Sequence, residues 1–143
     1  MVTIEPGSGT PEEVWAAWSA LAALPALDVD PCRRAVVLAP HPDDETLAVG
    51  GLIAELLARG AAVVLLAATD GEASHPDSRT ASPGQLRVVR LAETSAALSA
   101  LGAGLPGRLE ERRLHLPDGG LAAHEGELVD ALARLLRMPR ELP

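Results

Sequence analysis

Neither phenylalanine nor tyrosine occurs in the 143 residues, and Trp15 and Trp18 are the only aromatic rings. Leucine, alanine and valine must therefore fill the interior. The aromatic platforms on which single-stranded nucleic acids stack are missing. A single cysteine, Cys32, excludes an intramolecular disulfide and a Cys-rich zinc module. Basic side chains are outnumbered, 12 against 20 acidic ones, for a formal charge of −8. With no basic stripe to neutralise phosphates, nucleic acid and anionic membrane surfaces are poor partners. No apolar run reaches the roughly 20 residues of a membrane-spanning helix. The start, "MVTIEPGSGTPEEVW", has neither the basic beginning nor the apolar centre of a signal peptide, so a cytoplasmic location is expected. What remains is an ordinary soluble composition, 48% hydrophobic and 22% charged, at a length that suits one domain over residues 1–143.

Residues 1–32 read as a loose arm (1–9), a helix and a connector, with Thr10 as N-cap, Pro11 in the first helical position and Glu13 three residues after the cap. Trp15, Trp18 and Leu21 recur at helical spacing, and Pro25 ends the run. Residues 33–138 then alternate. "AVVLAP" (35–40) and "AAVVLLAATDGE" are continuous apolar runs, as expected of strands buried on both faces. "RLEERRLHLPDGG" is a third strand. Helical periodicity fills the gaps in "ETLAVGGLIAELLARG", stopped by Gly60, and in "SPGQLRVVRLAETSAALSALG", with Ser82 as cap, Pro83 at its first position and Gly102 as stop. "AAHEGELVDALARLLRM", ended by Pro139, is the last helix. Strand–helix alternation of this kind predicts parallel strands with right-handed crossovers, an α/β layered fold.

Ligands of open parallel sheets bind at the carboxyl ends of the strands. All three predicted tips are polar: "HPDDE", "TDGE" and "LPDGG". In "APHPDDETLAVGG" three adjacent carboxylates, Asp43, Asp44 and Glu45, follow His41. Their mutual repulsion needs an offset, and a bound cation is the expected one. His41 and Asp44, three apart on a turn opening into a helix, can point an imidazole and a carboxylate at one ion, a donor pair common at zinc. Asp43 then lies beside the ion, free to take a proton from water. A plainer reading stands next to this one: the three acids as cap and first-turn residues favoured by the helix dipole. Asp70 and Asp118 beside glycines also read as turn residues. His75, His115 and His124 read as surface residues, and Arg87 and Arg90 with Glu93 as a solvated helix face. No G-x-G-x-x-G or Walker loop supports a nucleotide site.

"APHPDDETLAVGG", "ATDGEASHP", "RLAETSAALSALG" and "LHLPDGG", in that order, resemble segments of the PIG-L/LmbE-like N-acetylglucosaminyl deacetylases over roughly residues 33–137. The resemblance implies a Rossmann-like parallel sheet with flanking helices in three layers. It also implies zinc-dependent removal of an N-acetyl group from an amino sugar or glycoconjugate, with metal-bound water as nucleophile. His41 and Asp44 would bind Zn²⁺, Asp43 would be the general base, Arg90 would lie near the substrate and Asp118 would line the sugar pocket. In that family a third ligand, a histidine, follows a fourth strand, and this chain stops at "RLLRMPRELP", where that strand would begin. The expectation is therefore a truncated hydrolase, with a non-catalytic remnant or a metal- or partner-binding fragment as the alternative. Without the fourth strand "AVVLAP" becomes an apolar edge, and self-association through it is expected unless the Trp15/Trp18 helix folds over the gap.

Overall fold

The structure, a computed structural model, describes residues 9–138. The arm expected over residues 1–9 therefore lies, apart from Gly9, outside the described residues, as does Pro139. Three strands, β1 (Arg34–Ala39), β2 (Ala62–Thr69) and β3 (Arg108–Leu116), form one sheet in the order β1-β2-β3, and both pairings are parallel. Helix α3 (Asp44–Ala58) crosses from β1 to β2, and α4 (Pro83–Gly102) from β2 to β3. A 3₁₀ turn at Leu121–His124 leads into α5 (Glu125–Arg137).

The apolar run of β2 is continuous because both of its faces are covered. Val63 and Leu65 pack with Ile53, Leu56 and Leu57 of α3 and Leu98 of α4. Val64 and Leu66 pack on the other side with Ala131, Leu132 and Leu135 of α5. Helix, sheet and helix make the three expected layers, and β2 is the central strand. Among the described residues no helix is long and apolar enough to cross a membrane.

Local chemistry sets the helix ends where the sequence indicates. Ser82 Oγ accepts the Gln85 N–H at 3.3 Å and Gln85 Oε1 accepts the Ser82 N–H at 2.8 Å, a reciprocal cap with Pro83 beside it. At the end of α3, Gly60 takes φ +78°, the Ala61 N–H donates to the Leu56 carbonyl and the Gly60 N–H to that of Leu57, both at 3.0 Å. The first helix departs from expectation. In place of one run there are two short turns, α1 (Glu12–Ala16) and α2 (Ser19–Ala22), broken at an extended Trp18. Thr10 is not the cap: Pro11 holds that position and no side chain bonds the helix start. Neither turn buries a residue. Trp15 and Trp18 lean on each other with ring centroids 5.7 Å apart and remain 45% and 51% exposed. A short helix without a packed face has too little propagation to offset nucleation, so spacing alone did not sustain it.

The loop before β3 runs against the end of α3, where the Gly107 N–H donates to the Leu57 carbonyl at 2.9 Å. A Cβ at Gly107 would stand 2.5 Å from the Ala61 carbonyl oxygen and 2.7 Å from the Leu57 Cα. Gly107→Ala is expected to cost about 1–3 kcal/mol through forced backbone movement. Gly51→Ala, at an exposed α3 position with open space around it, is expected to add about 0.5–1 kcal/mol. Urea denaturation of the two variants checks both signs.

Candidate active site

Asp43, the last residue before α3, has φ +83°. That left-handed conformation costs a residue with a Cβ about 1–2 kcal/mol. Its carbonyl starts the helix by accepting the N–H groups of Thr46 and Leu47 at 3.0 and 2.9 Å. Its side chain makes no cap. Instead Asp43 Oδ2 accepts Arg90 Nη2 from α4 at 2.7 Å, and the same nitrogen donates to the Pro42 carbonyl at 3.0 Å. Arg90 Nη1 donates to Glu93 Oε2 at 3.0 Å. The hydrogen bond to Asp43 raises the Arg90 guanidinium above the ordinary arginine value, so this cation never loses its charge. Gly71 at the tip of β2, φ +72°, makes room for the arrangement: a Cβ there would stand 3.0 Å from Pro42 Cγ and 3.5 Å from Arg90 Cγ.

His41 and Asp44 are half-exposed neighbours on the same turn. The His41 N–H donates to Asp44 Oδ2 at 3.0 Å, and the ring Nδ1 lies 3.5 Å from that oxygen. On the ring's other side Nε2 lies 3.4 Å from Asp118 Oδ1. Asp118 belongs to the tip of β3, and its Oδ2 accepts the Ala73 N–H at 2.9 Å while its own N–H donates to Glu72 Oε1 at 2.9 Å. The tip of β2 is tied to that of β1 as well, because the Thr69 N–H and Oγ1 both donate to the Pro40 carbonyl, at 3.2 and 2.9 Å. The three polar tips therefore meet in one place, and His41, Asp43, Asp44, Arg90 and Asp118 gather there.

The three adjacent acids point three ways. Asp43 meets Arg90, and Asp44 takes a backbone N–H. Glu45, only 2% exposed, accepts Thr46 Oγ1 at 3.1 Å and lines a cavity of about 220 Å³ with Asp43, Arg90 and Thr94. The offset expected of a cation is thus supplied in part by the protein's own donors, and the cap reading of Asp43 fails because its side chain leaves its helix. For a metal, the site provides one imidazole and one carboxylate side by side. Among the described residues no three His, Cys, Asp or Glu side chains converge as a full shell.

Two of the plainer readings need correction. Arg87 and Arg90 are no solvated face, since both reach across to other elements. Asp70 is no open turn residue: it is 3% exposed and takes Arg87 Nε on Oδ2 at 2.7 Å and Arg113 Nη1 on Oδ1 at 3.5 Å. His115, though half exposed, sets Nδ1 2.8 Å from Asp70 Oδ2. His75 is exposed and bonds its neighbour Ser74, and His124 pairs with Glu127 at 2.6 Å. Sequence reasoning passed over Glu72. The signal was there in "TDGE", but an acid that holds a backbone N–H of another strand tip looks in sequence like any loop acid.

A family model described as PIG-L, GlcNAc-PI de-N-acetylase, matches residues 36–141. The chain is 41% identical over 80 residues to a 1D-myo-inositol 2-acetamido-2-deoxy-α-D-glucopyranoside deacetylase of Rhodococcus erythropolis, covering 52% of this chain and 27% of that protein. It is 32% identical over 134 residues to the protein of the same description in Geodermatophilus obscurus, covering 78% and 43%. Among solved structures, N,N'-diacetylchitobiose deacetylase from Pyrococcus horikoshii superposes with a TM-score of 0.68 at 24% identity, over 90% of this chain and 46% of that one. The chain therefore spans less than half the length of each of these proteins.

Asp70 carries the heaviest electrostatic burden of the three strand tips. Asp70→Asn leaves Arg87 and Arg113 without their shared carboxylate and is expected to cost about 3 kcal/mol, the low end for a broken buried pair because Arg87 is half exposed. Thermal unfolding of the two proteins checks the loss.

Proposed function

The chain belongs to the PIG-L, GlcNAc-PI de-N-acetylase family, and from that premise we propose that it carries the core of a metal-dependent N-deacetylase acting on an N-acetylglucosaminyl conjugate. One observation supports this most: the Asp43 carboxylate is clamped by Arg90 immediately beside the His41–Asp44 pair. His41 and Asp44 would hold a divalent cation, zinc by the chemistry of the donors, which when bound supplies Lewis acidity toward an acetamide oxygen and toward water.

The chain's own residues do the rest. Arg90 occupies Oδ2 of Asp43 and leaves Oδ1 as the basic atom, turned by a backbone conformation that admits few alternatives. Asp43 takes the proton of the attacking water at that oxygen and returns it to the departing sugar amine. Since Arg90 places both Nη groups on protein acceptors, we assign it to positioning Asp43, within reach of the substrate but not as its main anion contact. Asp118 presents Oδ1 to the same space and is the acceptor proposed for a sugar hydroxyl. By the description of its curated relatives, the substrate class is a glucosaminyl-inositol-type N-acetyl glycoside.

A second reading, a metal-binding remnant without turnover, is favoured by the two-donor site. Titration and assay separate the two readings. Calorimetry is expected to show weak zinc binding that His41→Ala and Asp44→Ala each abolish; binding unchanged in both variants removes these residues from the proposal. Release of free amine from 1D-myo-inositol 2-acetamido-2-deoxy-α-D-glucopyranoside with added zinc supports the enzyme, and binding without release supports the remnant. Where turnover is measured, Asp43→Asn is expected to keep the metal and to lower the rate by about 10²–10⁴-fold.

A further inference from the structure

The imidazole of His41 stands between two carboxylates, and the two differ in kind. Asp44 Oδ2 lies 3.5 Å from Nδ1, and Asp118 Oδ1 lies 3.4 Å from Nε2. The Asp44 side chain is 44% exposed, that of Asp118 only 8%. Asp118 is also held fast. It follows Pro117 in a turn closed by the Gly120 N–H on the Pro117 carbonyl at 3.0 Å, with Gly119 at φ +81°. Its Oδ2 is taken by the Ala73 N–H and its own N–H by Glu72 Oε1, each at 2.9 Å. Among the described residues Oδ1 meets only the imidazole. The ring itself is half exposed, so packing alone does not fix its orientation.

We propose that Asp118 is a positioning residue for His41: it draws the ring proton to Nε2 and so leaves the lone pair of Nδ1 on the Asp44 side. The proposal rests on the reading of His41 and Asp44 as the donors to a cation. A neutral imidazole carries one N–H, and the partner of one nitrogen decides what the other can do. Histidines that hold metals commonly donate their second N–H to a carboxylate, which sets both tautomer and ring orientation. The opposite tautomer would aim the Nε2 lone pair at a buried carboxylate oxygen, acceptor against acceptor. The division of labour between the two acids follows from their surroundings. Asp44 is open to solvent and can close around an ion. Asp118 is buried, with Oδ2 already committed, and has little freedom to do so. A carboxylate oxygen has two lone-pair sites, so Oδ1 can take Nε2–H and still accept the sugar hydroxyl assigned to it above. One buried acid then links sugar recognition to the aim of the imidazole.

Nitrogen-15 NMR of the His41 ring, recorded without metal at a pH where the imidazole is neutral, tests the proposal. In the wild-type chain the proton is expected on Nε2. Asp118→Asn keeps the shape of the side chain, and its carbonyl oxygen goes to the Ala73 N–H. Its amide group then faces the ring as a donor, so the proton is expected to move to Nδ1. Asp118→Ala removes the partner and is expected to give a mixture of the two tautomers, with the fold checked by circular dichroism in both variants. Zinc calorimetry on the same samples is expected to show binding weakened about 10–100-fold by Asp118→Asn. A wild-type proton on Nδ1 overturns the proposal, and so does a tautomer or a zinc affinity that Asp118→Asn leaves unchanged. If the wild-type chain binds no zinc, the reading of His41 and Asp44 as donors fails, while the tautomer in the three proteins still decides whether Asp118 orients the ring.

Discussion

One hydrogen bond, from Arg90 on α4 to Asp43 at the tip of β1, holds the rest of the site in register. Asp43 is in a backbone conformation that a side chain disfavours, and it abandons its own helix as a cap. Its compensation is a charge-assisted bond to a guanidinium that also takes the preceding carbonyl. The turn can then close tightly enough to place His41 on one side and Asp44 in the first helical turn. The clamp is helped in its turn by Gly71, because a Cβ there would crowd Pro42 at 3.0 Å and the φ of +72° disfavours a side chain. A glycine at the end of the central strand thus sets the aim of a carboxylate on the neighbouring one.

The same economy governs the charges around it. Three consecutive acids in water-facing backbone would repel one another at short range. Here each has a separate donor, and the neighbouring tips add two acids that serve as struts: Asp118 against Ala73 and Glu72 against Asp118. Negative potential is thereby concentrated at the sheet's carboxyl end without any acid there being left adrift. Such an arrangement suits the cation proposed for the site. The cluster around Asp70 is the counterweight, with two arginines and a histidine gathered on one buried carboxylate on the far flank of the same edge.

Much of this was legible in the chain. The apolar runs of β1 and β2, the Ser82–Pro83 start of α4 and the Gly60 stop of α3 are local signals, and local energetics decide them. That His41, Asp43, Asp44 and Asp118 come together was legible because parallel strands with helical crossovers bring their carboxyl ends to one edge; Arg90, on α4, was expected near them only from the family resemblance. The partners of Arg87, Arg90 and Asp70 were not legible: each lies on another element, and helical spacing between two arginines says nothing of what they reach. The N-terminal helix misled for a related reason. Its caps and periodicity were present, but the surface that would have made periodicity count was not.

By itself, then, the sequence determined the order of elements, the parallel sheet and the cluster His41, Asp43 and Asp44, because these follow from short-range sterics and the two hydrophobic periods. Tertiary structure alone decided which acid meets which cation, and that Glu45 is buried while Asp43 faces Arg90. Those outcomes depend on distances between residues far apart in the chain, and a pairwise electrostatic or packing energy exists only once the fold has set those distances.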